Sequence, residues 1–292
     1  MEDKKICKKL KDKLEERMNY WDQDIRDADV MDFSTYDLTE IIEKMPAFKL
    51  YRYMPVNYFN IRNIETQTIH LSTNGVMNDV YEGIPACEGE DLTYFDLSKL
   101  KNLAYMTCFS ECNNSILMWS HYANQHEGIC LEYDFKRLKD DPYEIINHLM
   151  PVCYSEKRTL HRNIKQLIKC NKDLQDAIDR HSVYEGEELL DDIMPLFLTK
   201  GQEWEYEKEW RIIYTNKQMY DIDDAVLYSG NIQMKCLSAV YLGYRIHPEV
   251  KRNIIEICKR ISEKSERVAV FQARLSGIGY DILFGDDLTG ND

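Results

Sequence analysis

The residues with the most chemistry to offer lie between positions 200 and 214, which read Lys-Gly-Gln-Glu-Trp-Glu-Tyr-Glu-Lys-Glu-Trp-Arg-Ile-Ile-Tyr. From Glu207 onward a charged residue recurs at every second position, Glu207, Glu209 and Arg211. The period of two predicts an extended segment with Glu207, Glu209 and Arg211 on one face and Lys208, Trp210 and Ile212 on the other. Two carboxylates side by side raise one another's pKa while a guanidinium opposes this, so a cleft lined by that face would hold a tuned acid–base or electrostatic pair. An edge strand with solvated charges that discourage sheet pairing accounts for the same pattern. A second group is Trp119, His121 and Tyr122, on a helix predicted over 114–122. Its aromatics could stack on a base or a pyridine ring, although a helix of this kind is more often core. His121 has no Asp or Ser partner at a telling spacing for general base chemistry.

Composition narrows the classes. The chain has 292 residues, enough for one large domain or two small ones, and a formal net charge of −14. That charge disfavours non-specific binding to a nucleic-acid backbone while leaving room for a local basic pocket. The nine cysteines form no C-x-x-C pair, and with no visible leader the odd count points to reduced thiols in a cytoplasm. Cys108, Cys112 and His121 match no standard zinc spacing, so no metal is expected. No apolar run approaches the roughly 20 residues of a spanning helix, so no membrane partner is expected.

The elements that must position these residues are mixed. Residues 1–46 read as a charged helical segment ending at Pro46, a cap or a dimer contact that would make the chain a homo-oligomer. Residues 47–292 read as one α+β core, with a charged helical insertion over about 156–198. Strands are predicted over 48–53, 66–72, 103–110, 127–135, 225–228, 237–242, 267–273 and 280–284. Helices are predicted over 57–64 and 248–261. In the first strand Phe48, Leu50 and Arg52 share one face, and Lys49, Tyr51 and Tyr53 the other. Strands and helices follow no regular repeat, which favours a mixed, mainly antiparallel sheet over a doubly wound one.

Four patches carry a resemblance: Leu50-Tyr-Arg-Tyr; Leu71-Ser-Thr-Asn-Gly-Val-Met-Asn-Asp; Cys108-Phe-Ser-Glu with Met118-Trp-Ser-His-Tyr-Ala and Gly128-Ile-Cys-Leu-Glu-Tyr; and Lys200 with Trp204 to Arg211. In this order they resemble the bacterial family called domain of unknown function 2971, over roughly residues 50–243. The succession Arg52, Ser72-Thr73 and Glu207-Lys208-Glu209 also resembles the ADP-ribosyltransferases of the Arg–Ser–Glu type. That second resemblance implies an ADP-ribosyltransferase-like fold and an enzyme consuming NAD, by transfer to an unknown macromolecular acceptor or by hydrolysis, with a toxin or phage-defence role. It implies that Glu209 holds the ribose, Glu207 positions or activates the acceptor, and Arg52 grips the pyrophosphate beside Tyr53. Ser72 and Thr73 would orient Glu209, and Trp119 and Tyr122 would contact the nucleotide. A non-catalytic sensor or partner-binding module of a bacterial defence system is the alternative, and a metal-free nuclease or RNA-processing enzyme a more distant third. Because its carboxylate would face a cleft, Glu209→Gln is expected to leave folding nearly unchanged.

Overall fold

The computed structural model describes residues 45–73, 78–83, 104–138, 141–157, 196–222 and 229–290, with isolated positions at 38, 42, 43, 176, 194 and 226. Nearly all of the expected N-terminal helix and of the helical insertion at 156–198 lies outside the described residues. Leu38, Ile42 and Met45 are within them, and all three are buried in the main core.

The architecture is α+β. Strands β1 (Lys49–Met54), β3 (Ser72–Thr73), β4 (Ala104–Ser110), β5 (Ile129–Asp134), β6 (Leu149–Pro151), β9 (Glu209–Thr215), β11 (Leu237–Leu242), β12 (Ala269–Leu275) and β13 (Ile282–Phe284) form the main sheet. Their order is β13-β12-β11-β5-β1-β4-β9-β6, with β3 on a further stretch of β4. All of these pairings are antiparallel except β11 with β12. Two small sheets flank it, β2 (Thr68–His70) with β10 (Asn231–Gln233), and β7 (Cys153–Ser155) with β8 (Thr199–Gly201).

Helices cover both faces. On one, Ile64 of α1 (Tyr58–Thr66) and Ile254, Ile257, Cys258 and Ile261 of α4 (Pro248–Ser262) join the larger core with Leu50, Trp210 and Ile212. The α4 spacing of three and four residues makes a single apolar stripe. On the other face, Met118 and Trp119 of α2 (Ile116–Tyr122) pack on Tyr53, Cys130 and Tyr241. A short helix α3 (Asn216–Ile222) follows β9 and sends Met219 into the larger core.

Two expectations are corrected. The strand expected over 66–72 is interrupted at Leu71, whose N–H bonds the carbonyl of Gly230 at 2.7 Å. The interruption hands the chain from the small sheet to the main one, so Ser72 and Thr73 pair with β4 instead of β10. Of the strand expected near 225–228 only Val226 is among the described residues, and it is helical, its carbonyl accepting from the Gly230 N–H at 2.8 Å.

The turn between α2 and β5 is held by backbone contact. A Cβ on Gly128 would lie 2.4 Å from the Met54 carbonyl oxygen and 2.8 Å from the backbone of Ala123, neither of which can step aside. Gly128→Ala should therefore destabilise the fold by about 1–3 kcal/mol, the usual cost of overpacking. A denaturant melt with an unchanged midpoint would contradict that.

Candidate functional site

The site begins with a split in the sheet. Strands β1 and β4 pair only through Tyr51 and Ser110, and beyond that point β3 takes the edge of β4 at Met106 and Tyr105. A cleft of about 260 Å³ opens there, lined among others by Arg52, Tyr53, Ser72, Thr107, Tyr122 and Glu207. Glu209, Lys200 and Glu82 line it too. Register divides its walls. Cys108 lies opposite Arg211 and Ser110 opposite Glu209, so these four share one face, whereas Thr107 lies opposite Ile212 on the face of the larger core. Arg52 stands two residues from buried Leu50 and takes that same core face.

Glu207 and Glu209 do meet, but not as two teeth of one strand. Residues Gln202–Glu207 form a 3₁₀ turn, and Lys208 adopts a left-handed conformation with φ of 47° that reverses the chain into β9. The extended segment predicted from Glu207 starts only at Glu209. Ser110 Oγ, donating to the Glu207 carbonyl at 2.6 Å, fastens the end of this turn to β4. Nor is β9 a wet edge strand: it lies between β4 and β6, and Glu207, Glu209 and Arg211 are 2%, 4% and 0% exposed.

The charges form one buried network. Arg211 donates from Nε and Nη2 to the two oxygens of Glu209 at 2.8 and 2.9 Å, and from Nη1 to the Phe197 carbonyl at 2.5 Å. Lys200 Nζ donates to Glu207 Oε2 at 2.5 Å and to Glu209 Oε2 at 3.1 Å, and lies 3.9 Å from Glu82. Glu82 also pairs with Arg211. The Tyr122 hydroxyl donates to the other Glu207 oxygen, and the Tyr154 hydroxyl accepts from the Glu209 N–H at 2.7 Å.

Among the described residues three carboxylates share two cations, one positive charge short, and the carboxylates respond differently. Burial raises the pKa of Glu207, and the neighbouring Glu209 charge adds to this. Burial raises Glu82 as well, only partly offset by Arg211. Burial also works against ionised Glu209, but Arg211 and Lys200 outweigh it and hold that carboxylate well below the usual range. Glu209 is thus held ionised, and Glu207 is the more readily protonated of the two. The mutual raising expected from sequence holds for Glu207 alone.

Arg52 is placed apart from this network. Burial lowers its pKa, and the groups acting on it are Tyr133 and Cys108, not a carboxylate. Among the described residues its guanidinium has no ion-pair or hydrogen-bond partner. Of the remaining sequence candidates, Tyr53 lines the cleft and donates its hydroxyl to the Cys112 carbonyl at 2.9 Å. Ser72 lines the cleft, while Thr73 points to the opposite side of β3. Tyr122 is a wall of the cleft. Trp119 is fully buried, edge-on to Tyr53 and hydrogen-bonded to the Asn113 carbonyl at 2.7 Å, so its ring belongs to the core behind that wall. His121 meets the Tyr206 hydroxyl at 3.3 Å, outside the cleft.

Sequence reasoning missed roles for Lys200, Glu82 and Thr107. Lys200 and Glu82 are far from β9 along the chain or separated from it by a turn, and nothing in their spacing announces the pairing. Among the described residues no group of three or more His, Cys, Asp or Glu is placed to hold a metal ion, and no helix is long and apolar enough to cross a membrane. No curated protein and no solved structure matches the chain. The family described as protein of unknown function (DUF2971) matches residues 118–212, a stretch that carries Tyr122, Lys200, Glu207, Glu209 and Arg211 and stops short of Arg52 and Ser72.

Proposed function

We propose that this chain is an enzyme that cleaves the nicotinamide–ribose bond of NAD, passing the ADP-ribose to an acceptor or to water. One observation carries the reading: Arg52, Ser72, Glu207 and Glu209, from distant parts of the sequence, line a single cleft. In the reaction the ribose C1–nitrogen bond breaks and its electron pair leaves with neutral nicotinamide. The acceptor's lone pair then forms the new bond to C1, and the acceptor's proton goes to Glu207. Positive charge develops on the ribose, and the fixed charge of Glu209 favours that state. Arg52, which pairs with no carboxylate among the described residues, suits the pyrophosphate. The resemblance to ADP-ribosyltransferases enters as support of the same reading, and a toxin or defence role would be one use of such an activity.

A binding module is the second reading, favoured by the way Arg211 and Lys200 engage both oxygens of Glu209. Such a cleft would hold a nucleotide without turning it over. Incubation of the purified protein with NAD distinguishes the two. We expect release of free nicotinamide, one per NAD consumed; a protein that binds ADP yet releases none would leave the module reading standing.

A further inference from the structure

Two buried side-chain oxygens among the described residues have no hydrogen-bond partner, Glu82 Oε1 and Thr107 Oγ1. Glu82 is ion-paired with Arg211, which leaves the Thr107 hydroxyl as the polar atom with nothing to bind. Thr107 is 2% exposed and lies in the middle of a central strand, where a valine would fill the same volume and satisfy the same apolar neighbours. Burying a hydroxyl without a partner is costly, and native proteins rarely carry one without a use for it. This one lines the cleft, on the core face of the sheet that Arg52 also takes. A second group there is short of a partner as well: the Arg52 guanidinium has desolvation without a counter-charge.

We propose that Thr107 and Arg52 together form the anion-binding end of the cleft, and that Thr107 is a ligand-contacting residue donating its hydroxyl hydrogen to a phosphate oxygen. Arg52 supplies charge, Thr107 a directed neutral donor, and the two lie on the far side of the sheet split from Glu207 and Glu209. The separation sets the polarity of the ligand. A phosphorylated end sits under the split, away from carboxylates that would repel it, and the neutral or cationic end reaches through to them. The inference rests on the reading of the cleft as a nucleotide site but not on turnover, because a nucleoside diphosphate that cannot be cleaved tests it.

Titration calorimetry with ADP, adenosine and inorganic phosphate, alongside thermal melts of the ligand-free proteins, gives the test. Wild type should bind ADP well and adenosine at least about tenfold more weakly, the diphosphate carrying the difference. Thr107→Val should weaken ADP about tenfold, leave adenosine unchanged, and raise the ligand-free melting temperature by about 2–4 °C because the unmatched hydroxyl is gone. Arg52→Gln should weaken ADP by more and adenosine little. Measurable binding of inorganic phosphate, lost in both variants, would identify the anion alone as sufficient; binding of ADP without it would require the nucleoside as well, and either agrees with the inference. Wild type failing to bind ADP overturns it, as does a Thr107→Val protein that binds ADP like wild type or melts lower. ADP binding with the expected dependence but without nicotinamide release from NAD would leave the anion site intact and remove only the transferase reading.

Discussion

Replacing Glu209 by Gln should lower nicotinamide release on the order of a hundredfold or more and destabilise the fold at the same time. The activity loss follows from removing a fixed negative charge beside the carbon where positive charge develops, a stabiliser whose removal typically costs that much. The stability loss corrects what the sequence led one to expect. Glu209 is not a cleft carboxylate idle in the folded core: it binds Arg211 through both oxygens and shares Lys200 with Glu207. Taking away one member of a buried pair leaves the other uncompensated, at a cost of about 3 kcal/mol or more. The two effects separate when turnover is normalised to folded protein measured by near-UV circular dichroism at low temperature. The substitution also has a signature on pH. Glu209 pushes the Glu207 pKa upward, so without it the Glu207 pKa falls and any activity that remains should survive to lower pH. Equal turnover per folded molecule in wild type and variant would sink the catalytic role and keep the structural one.

How far the sequence could be read depended on the range of the interactions. The helix α4 was visible because its apolar stripe is local, with Ile254, Ile257, Cys258 and Ile261 repeating at three and four residues. Strands β1, β4, β5 and β11 were visible because their apolar runs were bounded by turn residues. Face assignment worked where a strand is regular: Trp210 and Ile212 go to the core as the alternation demands. It failed at Glu207, because the left-handed Lys208 ends the alternation and no composition rule flags a lysine in that conformation. The split at Leu71 was equally hidden, since it depends on Gly230 across the domain. The site was half legible. Arg52, Ser72 and the two glutamates were singled out by type and order, and the fold brings them to one cleft. The contrast between the glutamates, however, comes from Arg211, which grips Glu209 and not Glu207, and from the burial of Glu207, which only the fold reveals. Thr107 carried no signal at all. In a β-branched strand segment a threonine is ordinary, and its importance appears only when its hydroxyl is seen buried and unmatched.

Lys200→Met should have the second large effect, and its pH dependence identifies the cause. Lys200 is 7% exposed, and its ammonium lies within 3.9 Å of three carboxylates. Methionine keeps the length and the contact with Trp204, whose ring the ammonium overlies at 4.8 Å, but removes the charge. The wild-type network already has three carboxylates for two cations, so the variant has three for one and must take up protons to fold. A carboxyl whose folded pKa is raised binds more protons folded than unfolded, so its contribution to stability is present at low pH and lost as pH rises through the folded value. Glu207 and Glu82 are already of this kind, and loss of Lys200, which lowers both, raises them further. Glu209 behaves oppositely: its depressed pKa contributes stability above the ordinary carboxylate range that disappears as pH falls toward its own value, and the variant loses part of that contribution. The stability gap between wild type and Lys200→Met should therefore widen between pH 5 and pH 8, by up to about 1.4 kcal/mol per pH unit for one extra proton bound. The acidic limb of the rate profile should move to higher pH, because Glu207 accepts a proton only when ionised, the opposite direction from Glu209→Gln. Lys200→Arg should restore much of the stability and less of the activity, since a planar guanidinium cannot reproduce a point charge shared among three oxygens. Urea melts from pH 5 to 8 decide the matter: a gap that stays constant across that range would mean that Lys200 acts through packing, and the charge network would lose its claim to set the protonation of Glu207.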